Sequence, residues 1–139
     1  MKVGFTGTRY GMTREQLDAF SRDIAGYGVA EFHHGDCVGA DEQAQAIVRR
    51  LFPKVKIHVY PSAYTPKYRA NCKFDVMHNG PMFPLERNRA IVRAVSIVFA
   101  TPNTMEEAQR GGTWSTIRYA RTMKKMLVVV YPDGTISSE

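Results

Sequence analysis

The sequence predicts an α/β fold, in which helices cover both faces of a mostly parallel sheet of about five strands. Segments with strand-like and helix-like spacing of apolar residues alternate along the chain, which is typical of parallel strands joined by crossover helices. The chain has 139 residues, of which 44% are apolar and 23% are charged. This length and composition suit a single globular domain spanning residues 1–139.

The elements are predicted in order as follows. Residues 2–6 form a β-rich run, and Thr13 then has the features of a helix N-cap, with Gln16 three residues later as in a capping box. Apolar residues continue at helical spacing as far as Gly28, where this helix is expected to end. The other predicted strands are 30–33, 55–60, 96–100 and 126–131, and the other predicted helices are 40–52, 86–95 and 112–125. The tail after Pro132 is expected to fray.

One segment, residues 61–84, has no clear period. It contains Pro, Tyr, Lys, Asn and Gly residues, and we expect an irregular insertion made of a long loop or a short helix. A connection of this length inside a small domain is usually functional or mobile.

The charge and the cysteine content indicate which kinds of partner and which cellular compartment to expect. Lys and Arg number 19 against 13 Asp and Glu, so the net charge is +6 and the pI is about 9.5, which favours an anionic partner. The longest apolar stretch, 94–100, is too short to cross a bilayer, and the N-terminal residues show no secretion signal, so no membrane partner is expected. Cys37 and Cys72 lack metal-ligand spacing and favour a reducing, cytoplasmic setting.

Unusual residues follow several predicted strands, at the carboxyl ends where parallel sheets bind ligands. In the first loop, Gly7 allows close backbone approach, Thr8 offers a hydroxyl and Arg9 a bidentate donor for phosphate. Later, Arg87 and Asn88 lie at a helix start, where they suit an anion. The alternative for the first loop is an ordinary strand-to-helix turn with an exposed arginine. The alternative for the segment around Arg87 is a basic helix exposed to solvent.

A second loop combines glycines with carboxylates. Gly35 and Gly39 flank a strand-to-helix turn that carries Asp36 and Asp41. The two carboxylates are candidates for binding ribose hydroxyls and for catalysis, whereas the alternative is that Asp41 caps the helix. Cys37 lies beside the same helix start, but nothing in the sequence pairs it with a base.

Metal binding is not expected from the sequence. His33 and His34 are adjacent in a strand and therefore point to opposite faces, so they do not form a metal site by themselves. We predict neither a metal ion nor another cofactor.

A fourth loop opens a helix with glycines and hydroxyl residues. Free N–H groups, hydroxyls and the helix dipole together suit a phosphate. Trp114, in the same turn, is expected either to stack on a base or to pack in the core. The candidate ligand-binding residues of this turn are Gly111, Gly112, Thr113, Trp114, Ser115 and Thr116.

The four motifs, at 4–9, 35–41, 84–92 and 111–120, resemble in type and order those of the SLOG superfamily. This superfamily groups DNA-processing protein A (Smf), the lonely-guy phosphoribohydrolases and the small YspA/YpsA-related proteins. The resemblance covers nearly the whole chain and is greatest to the single-domain YspA-related group. It implies a three-layer Rossmann-like fold that binds a nucleotide or a nucleotide-derived ligand, and frequent formation of homodimers or higher oligomers.

The sequence departs from the phosphoribohydrolases at their catalytic position. Alignment of the glycine pairs places Arg118 where that family has its glutamate, with Arg110 and Trp114 at a proline and a glycine. Arg87 does stand where the family keeps an arginine. Whether the protein is an enzyme therefore stays open, and Asp36, Asp41 or Glu86 would have to supply the carboxylate. The DNA-processing proteins have extra domains that this chain cannot hold, so their loading function is not carried over.

Nucleotide binding is the leading prediction. The phosphate is expected on the N–H groups of residues 112–116, with its charge neutralised by Arg9 or Arg87. The ribose is expected to face Asp36 or Asp41. The base is expected near Pro61, Pro102 or Trp114. One alternative is N-glycosidic hydrolysis of nucleotides; another is single-stranded nucleic-acid binding. The residues proposed for nucleic acid are Tyr64, Lys67, Tyr68, Arg69, Lys73, Phe74, Arg118, Arg121, Lys124 and Lys125. An apolar stripe near Ile91 and Val95 is the expected dimer surface.

Overall fold

Seven strands form one sheet in the computed structural model, which describes residues 1–63, 66–79 and 82–139. The strands are β1 (Lys2–Gly7), β2 (Glu31–His34), β3 (Lys56–Val59), β4 (Val76–Met77), β5 (Ile97–Thr101), β6 (Met126–Val130) and β7 (Ile136–Ser138). Their order is β4-β3-β2-β1-β5-β6-β7, and every neighbouring pair is parallel except β6 and β7. The predicted mostly parallel sheet is confirmed, with the short strands β4 and β7 in addition to the five expected.

Helices cover both faces of this sheet. They are α1 (Arg14–Ile24), α2 (Ala40–Leu51), α3 (Pro84–Ala94) and α4 (Gly112–Thr122). One apolar core joins α1 and α2 to the sheet and includes Phe5, Phe20 and Phe32, whereas a second core joins α3 and α4 to the opposite face. The three-layer Rossmann-like α/β architecture is therefore confirmed.

The predicted capping box at the start of α1 is present. The Thr13 hydroxyl accepts a hydrogen bond from the Gln16 N–H at 3.0 Å, and the Gln16 side chain accepts one from the Thr13 N–H. The buried Gln16 amide also donates to the carbonyls of Pro102 and Val130, at 2.6 and 2.9 Å. This one side chain therefore ties α1 to the segments that follow β5 and β6.

The chain after Pro132 does not fray. A turn at Asp133 and Gly134 reverses its direction, with Gly134 at a φ of 86° and the Asp133 carboxylate accepting from both the N–H and the hydroxyl of Thr135. The last residues then pair with β6 as the antiparallel strand β7. The expectation of a frayed tail was wrong because it neglected the turn-forming tendency of the Asp-Gly pair.

Helix α3 packs closely on β1 through Ile91 and Val95, both about 3% exposed. A Cβ at Gly4 would lie 2.9 Å from Val95 Cγ2 and 3.1 Å from Ile91 Cγ2, so the missing side chain permits this approach. The predicted dimer surface at Ile91 and Val95 is therefore wrong, because these side chains are already buried within one chain. The exposed apolar residues of this helix and its N-cap are instead Phe83 and Leu85.

The predicted irregular insertion contains a 3₁₀ turn, Pro66–Tyr68, and the short strand β4. Its first half is held against the loop after β2, where the Val38 N–H donates to the Tyr68 carbonyl at 2.8 Å and the Ala70 N–H to the Asp36 carbonyl at 2.8 Å. These bonds bring residues distant in sequence to the carboxyl end of the sheet. In the described ranges, no helix combines the length and apolar character needed to span a membrane.

Candidate functional site

A cavity of about 380 Å³ lies beyond the carboxyl ends of the central strands. Strand β1 pairs with β2 on one side and with β5 on the other, so the connections following β1 and β5 diverge at this point. Open α/β sheets bind their ligands in such crevices. The cavity is lined by Phe5, Thr6, Gly7, Thr8, Arg9, Tyr10, Gly35, Cys37, Asp41, Tyr68, Pro84, Arg87, Asn88, Asn103, Ala108, Arg110, Gly111, Gly112, Thr113 and Trp114.

The N-terminus of α4 opens into this cavity without a side-chain cap. Its N-cap is Gly111, with a φ of 115°, and the Ser115 N–H makes the first bond within the helix, to the Gly111 carbonyl. The N–H groups of Gly112, Thr113 and Trp114 therefore have no partner inside the helix. Together with the helix dipole they form a positive end that suits an anion.

Exposed arginines on two loops add positive charge to the cavity. Arg9 follows β1, and its guanidinium lies 4.4 Å from the centre of the Tyr68 ring and 5.1 Å from that of Tyr10. It also donates a hydrogen bond to the Tyr10 hydroxyl, which raises the pKa of Arg9 above its ordinary value. Arg110 follows β5, immediately before the Gly111 N-cap. Both side chains are placed to attract a phosphate.

Arg87 has a different environment, since it is about 6% exposed. Its Nη1 donates to the carbonyls of Gly35 and Tyr60 at 2.8 and 3.0 Å, and its Nε donates to Asn88 Oδ1 at 2.7 Å. The remaining nitrogen, Nη2, contacts Cys37 Sγ at 3.7 Å. Arg87 therefore joins α3 to the loops after β2 and β3, and its edge at Nη2 is the part left to face a ligand.

Asp41 is the one carboxylate among the described residues that line the cavity. Its Oδ2 accepts hydrogen bonds from the N–H groups of Gly35 and Cys37, both at 3.1 Å. The predicted alternative that Asp41 caps α2 is wrong, because the N-cap is Gly39 and Asp41 holds the preceding loop. Burial raises the pKa of Asp41, although His34, Arg87 and the two N–H groups act in the opposite direction.

Asp36 points away from the cavity, contrary to its predicted role with ribose or in catalysis. Its backbone is left-handed at a φ of 56°, and the residue is about 1% exposed. Arg69 Nε donates to Oδ2 at 2.9 Å, and the Cys72 N–H donates to Oδ1 at 2.8 Å. Both carboxylate oxygens are therefore committed to anchoring residues 69–72, which gives Asp36 a structural role.

Three further predicted ligand residues do not line the cavity. Gly39 has a φ of 88°, and a Cβ there would lie 2.3 Å from the Arg9 carbonyl oxygen, so this glycine permits the close contact between the first loop and α2. The Thr116 hydroxyl donates to the Gly112 carbonyl inside α4 at 2.7 Å. Ser115 lies on the same helix, beyond the turn that lines the cavity.

Trp114 lines the cavity but is held as a packing residue. Its indole Nε1 donates to the Thr104 hydroxyl at 2.9 Å, and its ring lies 6.3 Å from that of Tyr131. With about 4% of its surface exposed, Trp114 offers little ring face to a base. Pro61 and Pro102, also predicted near the base, do not line the cavity.

Arg118, which occupies the position of the phosphoribohydrolase glutamate, does not line the cavity either. Its guanidinium binds the Glu107 carboxylate at 3.1 Å and the carbonyls of Ala108 and Gln109 at 2.9 and 3.1 Å. Arg118 thereby fixes the loop after β5, of which Ala108 lines the cavity.

Several basic residues predicted to bind nucleic acid are engaged with the protein itself. Arg69 pairs with Asp36, Arg121 pairs with Glu107 and Glu139, and Lys125 Nζ donates to the Val95 carbonyl at 2.7 Å. Tyr64, named in the same set, lies outside the described residues. These contacts reduce the charge that the set can offer to a phosphate backbone.

The cysteines are free and poorly ionised. Burial raises the pKa of Cys37 to about 11 and that of Cys72 to about 12. Neither thiol supplies an appreciable thiolate at neutral pH, so Cys37 does not have the character of a catalytic nucleophile.

The predicted ligand-binding set lacked several lining residues, chiefly Tyr10, Asn103 and Arg110, and Tyr68 was proposed for nucleic acid instead. Arg110 adjoins the Gly-Gly turn, which could have identified it. The position of Tyr68 depends on bonds between residues 68–72 and the loop after β2, which no local pattern encodes.

The chain matches no protein-family model and no curated protein. The resemblance to the SLOG superfamily stays a prediction from the sequence motifs, and the geometry of the cavity carries the functional argument.

Proposed function

We propose that the protein binds a nucleotide or a nucleotide-derived ligand in the cavity at the carboxyl ends of β1 and β5. The observation that carries this proposal is the uncapped N-terminus of α4, which opens into a cavity whose lining includes two exposed arginines, Arg9 and Arg110. An anion-binding helix end inside a cavity of about 380 Å³ suits a small phosphorylated molecule.

The charges of the lining favour an anion. Arg9, Arg87 and Arg110 contribute three positive charges and Asp41 one negative charge, so the net charge is +2 when Asp41 is ionised. The Arg87 and Asp41 side chains are buried and bonded to the protein, which leaves Arg9 and Arg110 as the exposed counter-charges. Phosphate would lie on the N–H groups at the start of α4 with these two guanidinium groups beside it.

The cavity lining also carries groups that suit a nucleoside. Tyr68 and Tyr10 present aromatic rings near Arg9, and Asn88 and Asn103 carry amides that bind base edges or sugar hydroxyls. Asp41 replaces Asp36 as the carboxylate for ribose. The volume lies at the lower end of the range of about 300–1,000 Å³ for small-molecule sites, which favours a mononucleotide over a dinucleotide.

The proposal extends to the family, the oligomeric state and the cellular location of the protein. The four motifs support membership of the SLOG superfamily near its YspA-related group, and thus homo-oligomer formation. Two free, protonated cysteines support a reducing, cytoplasmic location.

A thermal-shift and calorimetric titration tests the proposal, with AMP, ADP, ADP-ribose, NAD and cyclic nucleotides as ligands. Adenosine serves as the phosphate-free control, and a single-stranded DNA oligonucleotide tests the nucleic-acid alternative. A ligand at 100 times its Kd stabilises the fold by about 2.7 kcal/mol, which raises Tm by several degrees. A shift with DNA alone that disappears at higher salt would contradict nucleotide binding.

Hydrolysis of an N-glycosidic bond is the second candidate, favoured by one observation: the buried Asp41 carboxylate lines the cavity. A carboxylate beneath the sugar would stabilise the charge developing at the anomeric carbon or activate the attacking water. Asp41→Asn keeps an oxygen acceptor for the N–H groups of Gly35 and Cys37 and removes the charge. Chromatography then measures the base that this variant releases from a nucleotide. Loss of base release with retained nucleotide binding would support a catalytic role for Asp41. Binding without base release in the wild-type protein refutes it.

A further inference from the structure

Three histidines lie together, two on neighbouring strands and one just after the end of a third, and none of them lines the cavity. His33 on β2 pairs in register with His58 on β3, and His78 follows the end of β4, where Met77 pairs with Val59. His34, next to His33, faces the opposite side and bonds to Gln45 of α2. The helices on the side of the three histidines, α3 and α4, pack on β1, β5 and β6. The histidines therefore occupy the part of this sheet face beside β2, β3 and β4.

The imidazole rings form a compact stack. The centres of the His33 and His58 rings are 4.1 Å apart, and those of His58 and His78 are 5.2 Å apart. One ring nitrogen from each of the three residues lies within 4.8 Å of the other two, and His58 Nδ1 is 2.9 Å from His78 Nε2. Glu31 adds a carboxylate, with its Oε1 at 2.9 Å from His33 Nε2 and 3.3 Å from His58 Nε2.

One buried nitrogen in the cluster is left without a partner. Within the described part of the chain, His58 Nε2 makes no hydrogen bond, although Glu31 Oε1 lies near it. A buried polar atom of this kind costs about 1–3 kcal/mol unless something binds it. A cation between the nitrogen and the carboxylate would satisfy both groups at once.

A hydrogen bond from a residue outside the cluster orients His33, as such bonds do for the histidine ligands of metal ions. The Tyr60 hydroxyl lies 2.8 Å from His33 Nδ1. The Tyr60 ring also stacks on His78 at 4.0 Å. Such a partner on the second ring nitrogen fixes the orientation of a histidine ligand.

We propose that His33, His58 and His78 form a binding site for a divalent transition-metal ion of the Zn²⁺ class, with Glu31 as the adjacent carboxylate. Three imidazoles with one carboxylate or water form a common tetrahedral zinc environment. Zn–N bonds of about 2.0–2.1 Å place tetrahedral ligand atoms about 3.3 Å apart. Ligand nitrogens within 4.8 Å of one another therefore need to approach by at most about 1.5 Å to reach this spacing.

The test is a Co²⁺ titration of the untagged, chelator-treated protein, followed by displacement with Zn²⁺. We expect one ion per chain, visible d–d bands of tetrahedral intensity, and no thiolate-to-metal band in the near ultraviolet. His58→Asn and His78→Asn should each weaken binding by more than about 100-fold, because loss of a ligand exceeds the 10–100-fold effect of an outer-shell change. Glu31→Gln should weaken it by about 10- to 100-fold.

Two matched variants separate metal binding from folding. His34→Asn lies on the same strand but faces α2, and Cys72→Ser removes a thiol, so both should retain Co²⁺ binding. Circular dichroism and thermal melting of each variant check that it folds. Unchanged stoichiometry and affinity in folded His58→Asn and His78→Asn, a thiolate band, or no Co²⁺ bands at all would overturn the proposal.

Discussion

We expect Gly112→Ala to leave the fold intact and to weaken phosphate binding. A Cβ at Gly112 would lie 3.5 Å from Asn88 Nδ2, an ordinary van der Waals contact, and the backbone there is not left-handed. Alanine is favoured over glycine in helices by about 0.8–1 kcal/mol in the interior and by less at the first position. The free energy of unfolding should therefore stay unchanged or rise by up to about 1 kcal/mol.

The same substitution is expected to weaken phosphate binding. The added methyl lies beside Asn88 at the wall where a phosphate oxygen must come within about 2.7–2.9 Å of an N–H group. Loss of one charge-assisted hydrogen bond costs about 1.5–3 kcal/mol. This corresponds to a rise in Kd of about 10- to 150-fold.

Isothermal titration with the nucleotide that shifts the wild-type Tm most, together with a urea melt of the free protein, measures both effects. Gly28→Ala is the matched control, because its added Cβ meets nothing within 4 Å and Gly28 is not part of the cavity lining. It should keep the wild-type Kd. A stably folded Gly112→Ala with unchanged affinity would refute phosphate binding at the start of α4.

Four further outcomes are expected. Asp36→Ala should lower the free energy of unfolding in urea by about 2–4 kcal/mol, since Arg69 and a buried N–H lose their acceptor; a change below about 0.5 kcal/mol would contradict this structural role. The thiols at Cys37 and Cys72 should react with iodoacetamide far more slowly in the folded than in the unfolded protein at pH 8, and the folded rates should keep rising above pH 10, because raised pKa values shift thiolate formation upward. Bound nucleotide should protect Cys37 but not Cys72 in mass-spectrometric mapping, and equal protection would place the ligand elsewhere. Arg110→Ala should weaken phosphate ligands at low salt with an unchanged urea midpoint, and an unaltered Kd would remove Arg110 from the site.

The central elements could be predicted from sequence because their signals are local. Continuous apolar runs define β5 and β6, and the Thr13–Gln16 capping box marks the start of α1. The short strand β4 could not be found, since two residues carry no period and pair only because the insertion lies along β3. The Asp133–Gly134 turn was visible in the sequence and was undervalued.

The sequence predicted which loops line the cavity but not the direction in which each side chain points. Strand ends identified Gly112 and Arg9 correctly as lining residues. The direction of Asp36 depends on a left-handed backbone and on Arg69, 33 residues later, which no local pattern encodes. The histidine cluster likewise depends on the register of His33 with His58, which exists only once the sheet has formed.

The strand order also governs how the chain reaches its native state. Strand β1 is synthesised early but lies at the centre of the sheet, and Val3 finds its partner Ile97 only when most of the chain has been made. Until then one edge of β1 is unpaired, and closure of such a long loop makes folding slow. An open, apolar strand edge invites pairing with another chain. The half-sheet formed by β1 to β4 is therefore the stage at which the open edge of β1 most exposes the chain to aggregation.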